Sequence, residues 1–122
     1  METLAAAIEF VRLGVSALLI AAGAALMLMG VIGRLRFPDL FTRLHAANVS
    51  DAHGAAVFVL GLAVAAPNAA LFFRLLMLAL LIGALAPALL HLIAGAAHSG
   101  GLAPLAGRYV APRPGVRVEG GQ

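Results

Sequence analysis

Three stretches of this chain carry no Asp, Glu, Lys or Arg: residues 13–33, 52–73 and 75–107. A run of about 20 apolar residues, each rising about 1.5 Å in a helix, crosses the roughly 30 Å hydrocarbon core of a bilayer. In water, a chain of 122 residues buries only about 60–70% of its unfolded surface. With 63% of its residues apolar and 11% charged, it has no soluble way to hide its Leu, Ala, Val and Ile. The fold class that follows is all-α integral membrane, with one small membrane domain. Cys is absent, which excludes disulfides, thiolate catalysis and Cys-based metal sites. The net charge of +3 comes from eight Arg spread along the chain, which is no footprint for nucleic acid.

The first stretch predicts a helix over about residues 4–33, with Thr3 as N-cap and Glu9 paired with Arg12 one turn on. More membrane follows it, so cleavage as a signal peptide is not expected. Pro67-Asn68 interrupts the second stretch with a turn signal, which sets a second span at about 50–66 and a third at about 71–97. Residues 1–98 then form a three-helix membrane domain, and 99–122 a Gly/Pro/Arg-rich tail that reads as disordered or draped on the surface. Arg34, Arg36, Arg43, Arg108, Arg113 and Arg117 flank one side of the spans, against Arg12 and Arg74 on the other. That asymmetry favours an outside N-terminus and a cytoplasmic tail. Small residues at four-residue steps (Ala17, Ala21, Ala25; Gly61, Ala65; Ala79, Gly83) would let helices approach closely, although a chain so rich in Ala and Gly produces such steps by chance.

The polar residues concentrate between the first two spans. Pro38 suits a first helical position, and the stretch 38–47 reads as a short interfacial amphipathic helix. Phe37, Leu40, Phe41, Leu44 and Ala47 fall on one side, while Asp39 and Arg43 pair on the other. Asn48 is placed to cap the second span, with Asp51 in its first turn. In the third span Pro87 cannot donate to the carbonyl of Gly83, and His91 lies one turn further on. These three would make a polar spot. The spacings of His45, His53, His91 and His98 support no metal site, and no cofactor motif is present.

The run Gly-x-Ile-Gly-x-Leu-Arg-Phe-Pro-Asp-x-Phe-Thr-Arg-Leu-His-Ala-Ala, here Gly30 to Ala47, resembles the signature of the G subunit of multisubunit monovalent cation/proton antiporters, the Mrp, Mnh or Pha systems. The likeness continues through Asp51 and Gly54 and resumes at Pro87 and His91, so it covers about residues 10–100. It departs at Val49, Ala52 and His53, where the family usually has Lys, Thr and Leu. Asp51 thereby loses a cationic neighbour, for which His53 or an Arg of a partner chain would compensate.

The resemblance implies a scaffolding subunit of a hetero-oligomeric antiporter in a bacterial inner membrane, with the other subunits, lipid, Na⁺ or another monovalent cation, and H⁺ as partners. It implies no enzyme and no cofactor. Asp51, His45, Gly83, Pro87 and His91 are candidates for an ion path, and Arg36, Pro38, Asp39 and Arg43 for subunit contact. Asp51 also reads as a carboxylate that merely complements a helix N-terminus, and His45 as merely solvated. Rival readings are a structural subunit of a related redox-coupled complex and a small homo-oligomeric transporter.

Overall fold

The structure, a computed structural model, describes residues 1–102 and the backbone of 105–106 and 109–110. Three helices are long and apolar enough to cross a membrane. The first, α1, runs from Glu2 to Arg36. The second is built of α2 (Leu40–Asn48), a π-helical segment (Val49–Gly54) and α3 (Ala55–Val64), which follow one another without a break. The third, α4, runs from Ala69 to Ser99.

The Pro67-Asn68 turn lies where the turn chemistry places it, because the Asn68 side chain accepts from the Leu71 N–H at 2.9 Å and caps α4. Thr3 is no cap: helical geometry begins at Glu2, with Met1 before it. The larger difference concerns residues 38–50. The expected interfacial helix is present as α2, but it runs straight on into the second span, which begins at Leu40 rather than near Ser50. Asn48 has helical φ and ψ and caps nothing. Pro38 stands outside the helix and Asp39 occupies the N-cap position.

α1 packs antiparallel along the second span through a seam with alternating spacings of three and four residues. A Cβ added to Gly30 would lie 2.7 Å from the Ala46 carbonyl oxygen, and one added to Gly23 would meet the Phe58 backbone at 2.5 Å. Seen from the partner helix, a Cβ on Gly54 would meet Met27, and one on Gly61 would meet Ile20. Ser16 completes the series by donating to the Gly61 carbonyl at 2.8 Å. The buried residues of the second span are Ala46, Ala47, Ser50, Ala52, Gly54, Gly61 and Ala63, all small. Lipid offers helices no hydrophobic drive to associate, so contact depends on backbones coming close enough for dispersion and short polar bonds. The seam uses Gly because only a missing Cβ permits this approach. Ala17, Ala21 and Ala25, the stripe expected from four-residue steps, are exposed and off the seam.

An arginine closes each end of the seam. Arg12 pairs with Glu9, as expected, and also donates through Nη1 to the carbonyls of Val64 at 3.2 Å and Ala66 at 2.8 Å. These are carbonyls at the α3 C-terminus, where no intrahelical donor remains. Arg34 engages the π segment at the other end. α4 lies against α3, with Ala79 at 3% exposure on the contact and Gly83 beside Ala56. Beyond Ser99, Leu105–Ala106 pairs antiparallel with Tyr109–Val110. Of the tail expected over 99–122, Ser99 ends α4, and residues 103–104, 107–108 and 111–122 lie outside the described residues.

Candidate functional site

The polar cluster of the chain sits where the end of α1 meets the π segment. Arg34 Nη2 donates to Asp51 Oδ1 at 3.0 Å and Nη1 to Asp51 Oδ2 at 3.3 Å, a two-pronged pair. Such pairs fix orientation as well as charge. Arg34 Nη2 also donates to Ser50 Oγ at 2.6 Å. The single Ser50 hydroxyl hydrogen is shared between Asp51 Oδ1 at 2.6 Å and the Ala47 carbonyl at 3.1 Å. Ser50 is 2% exposed, so it forms the inner wall of the cluster, while Asp51 faces outward with half its side chain exposed.

The π segment makes this geometry. Ala55 N–H donates to the Ser50 carbonyl five residues back, so one residue more than an α-helix needs is fitted into the turn. The extra residue shifts the phase between α2 and α3. Both can then present small side chains to their neighbours while Ser50 points at Gly30 and Asp51 reaches Arg34. His53 lies on the same segment, exposed, with Nδ1 at 3.2 Å from the Asn48 carbonyl. The Asn48 side-chain oxygen is buried with no hydrogen-bond partner among the described residues.

Asp51 therefore finds a counter-charge within its own chain, in Arg34, while His53 turns to the Asn48 carbonyl. Arg34 and Ser50 belong to this cluster, and the sequence reading did not place them in it. Their signal was the three-residue connection between α1 and α2, which makes the two helices neighbours and brings the end of one against the other.

The remaining candidates separate in space. His45 is exposed and lines a groove of about 230 Å³ with Met29, Gly33, Phe37 and Val49. The expected Asp39–Arg43 ion pair does not form, because Arg43 Nε reaches back to donate to the Phe37 carbonyl at 2.7 Å, just past the end of α1. The Asp39 carbonyl accepts from Thr42 Oγ1 at 2.8 Å. Arg36 and Pro38 are exposed beside them. α4 continues through Pro87. Gly83, Pro87 and His91 keep to one broad side of α4, but four-residue steps drift about 40° each, so the series turns from Gly83 beside Ala56, through half-buried Pro87, to exposed His91.

A protein-family model described as a Na⁺/H⁺ antiporter subunit, PhaG_MnhG_YufB, matches residues 19–98, which hold most of the seam, the cluster and nearly all of α4. The chain belongs to this antiporter-subunit family. It is 38% identical over 82 residues to the UPF0091 protein PH0944 of Pyrococcus horikoshii, covering 67% of this chain and 80% of the relative. It is also 38% identical over 74 residues to the UPF0091 protein RC0354 of Rickettsia conorii, covering 61% and 70%. Among solved structures, a chain of the Mrp complex from Dietzia sp. DQ12-45-1b superposes with a TM-score of 0.74 at 30% identity, over 83% of this antiporter subunit and 92% of that chain. The family places the chain among membrane transporter subunits, and its three apolar helices fit that placement.

Proposed function

We propose that this chain scaffolds a hetero-oligomeric complex that exchanges Na⁺ or another monovalent cation for H⁺ in a bacterial inner membrane, and that its Arg34–Ser50–Asp51 cluster borders the cation path at the cytoplasmic mouth. The observation that carries this reading is the contrast between the seam and the cluster. The α1–second span seam is lined by Gly, Ala and Ser packed backbone to backbone, which leaves no room for an ion. Among the described residues, the one ion pair joining separate helices has a half-exposed carboxylate at the edge of the chain. A path past Asp51 is therefore completed by helices of other subunits, as the similarity to a chain of the Mrp complex supports. Acidic groups in or near spans are costly and usually serve transport. In this reading His45 and the Gly83, Pro87 and His91 turn of α4 are secondary candidates for the path. Arg36, Pro38, Asp39 and Arg43, exposed or half-buried around the connection, are the surface for a neighbouring subunit.

The chain alone in liposomes is expected to give no cation-dependent H⁺ flux, and the chain purified under mild detergent from its own membranes is expected to bring multi-span antiporter subunits with it. Flux from the chain alone would favour the homo-oligomeric transporter, and co-purifying redox enzymes would favour the redox-coupled complex.

The same reading sets the termini, with the N-terminus outside and the tail cytoplasmic, by the six-to-two distribution of Arg. The chain has no native Cys, so single cysteines at Ala5, Asn68 and Gly120 report directly. Two spans separate Ala5 from Asn68 and one more separates Asn68 from the tail, so in intact cells an impermeant thiol reagent is expected to modify Ala5→Cys and Asn68→Cys and to spare Gly120→Cys. The discriminating pair is thus Ala5→Cys and Asn68→Cys labelled together, with Gly120→Cys protected; the reverse pattern would invert the orientation.

A further inference from the structure

The exposed surface of α4 differs sharply from one side to another. At 100° per residue, Leu78, Leu81, Leu85, Leu89 and Leu92 occupy one arc, all exposed. About 120° around the helix lies a second exposed arc, which begins apolar with Phe73, Met77 and Leu80 and past them turns to small and polar residues: Ala84, His91, Gly95 and His98. The third side, marked by buried Ala79, faces α3. A uniform band of Leu is what acyl chains ask of a helix, whereas small and polar residues mark helix–helix contact in lipid.

Depth sharpens the contrast. Between Arg74 and His98 the midpoint of α4 is Ala86. His91 lies five residues beyond it, which is about 7.5 Å along the axis, inside the roughly 15 Å half-thickness of the hydrocarbon. His91 is exposed, and none of the hydrogen bonds among the described residues involves it. An imidazole left facing acyl chains at that depth is costly and has to find a partner. A Cβ built on nearby Gly95 meets nothing within 4 Å, so the arc has a notch beside the histidine.

The charges indicate what fills it. The ionisable groups of α4 are Arg74, His91 and His98, with no acid among them. Glu9 and Asp51 of this chain are already paired with Arg12 and Arg34, and no ion pair among the described residues joins Glu2 or Asp39 to His91. We propose that the His91 arc packs against a transmembrane helix of another subunit, which crosses close at Ala84 and Gly95 and brings an Asp or Glu side chain to His91. The proposal rests on the subunit reading above.

The test uses the whole complex in its native membranes, with a photoreactive amino acid placed at Leu80, His91, Leu85 or Leu89. Leu80 and His91 are expected to cross-link to one other subunit, and Leu85 and Leu89 to no protein. Cross-links of equal strength from Leu85 and Leu89, or adducts only to a second copy of this chain, would overturn the proposal. Three replacements examine the acid. His91→Gln, which can still hydrogen-bond to a carboxylate, is expected to retain the cross-linked subunit within about twofold on co-purification, while His91→Leu loses about five- to thirtyfold and His91→Asp at least as much. Equal recovery with Leu, Asp and Gln would remove the acidic partner. If the other subunits co-purify with the unchanged chain but the Leu80 and His91 probes capture none of them, this proposal falls and the subunit reading stands. If no subunit co-purifies with the unchanged chain, the subunit reading falls first.

Discussion

Replacing Gly30 by Ala is expected to remove most of the chain from the assembled complex. The new methyl group would sit 2.7 Å from the Ala46 carbonyl oxygen and 2.8 Å from the Ser50 backbone N. Neither is the far end of a flexible side chain, so the helices themselves must part. Overpacking a tight contact costs about 1–3 kcal/mol even where side chains can shift, and a backbone-to-backbone contact lies at or beyond the upper end. The separation also acts on Arg34, one turn further along α1, by drawing it away from Ser50 and Asp51. Gly14→Ala on the same helix is the control, because a Cβ there meets nothing within 4 Å. It is expected to be neutral or to stabilise slightly, since Ala is the better helix former. The measurement is the amount of chain recovered in intact complex together with its thermal midpoint in detergent. Equal recovery of Gly30→Ala and Gly14→Ala would mean that the seam is looser than its geometry indicates.

Asp51→Asn is expected to leave assembly intact and to lower cation-dependent H⁺ exchange by about tenfold or more. The amide keeps the size of the carboxylate and still accepts from Ser50 or Arg34. What disappears is the negative charge. A pair with this exposure contributes only about 0.2–1 kcal/mol to stability in water, so its loss does not by itself unfold the chain. A purely structural ion pair would be restored by exchanging its ends, so the double replacement Arg34→Asp with Asp51→Arg separates the two roles. It is expected to assemble like the unchanged chain while exchange stays low, because the carboxylate now hangs from α1 instead of the π segment. Unchanged exchange by Asp51→Asn across neutral and alkaline pH would take Asp51 off the path. His45 and the His91 turn of α4 would then remain as candidates.

Much of the backbone plan is legible from local chemistry. Charge-free runs mark the spans, and Pro67-Asn68 marks the second turn, because these signals depend on residues adjacent in the chain. What escaped the reading is set by contacts between helices. Nothing local distinguishes an amphipathic helix lying on the membrane from the first turns of a span, so α2 looked separate from α3 although a π segment joins them. In a helix as rich in small residues as α1, a stripe at four-residue steps is as visible as a seam alternating threes and fours, and only the partner helix selects Gly23 and Gly30 over Ala21 and Ala25. Asp39 and Arg43 have ideal spacing for a pair, yet the Phe37 carbonyl beyond the end of α1 competes for Arg43 and wins. The Arg34–Asp51 pair crosses 17 positions of sequence, further than any helical spacing rule reaches.

Arg12 and Arg34, each bonded to the second span, stand 22 residues apart on α1, or about 33 Å along its axis. That length is close to the hydrocarbon thickness of an ordinary bilayer. Helices tied at only one end can adapt to a thinner membrane by sliding past one another. Here sliding would break the bonds at Val64 and Ala66 or those at Asp51 and Ser50, so the two helices must accommodate hydrophobic mismatch together, by tilting as one rigid ladder. A change in membrane thickness would then swing the whole hairpin and carry the mouth of the second span sideways without altering its internal geometry.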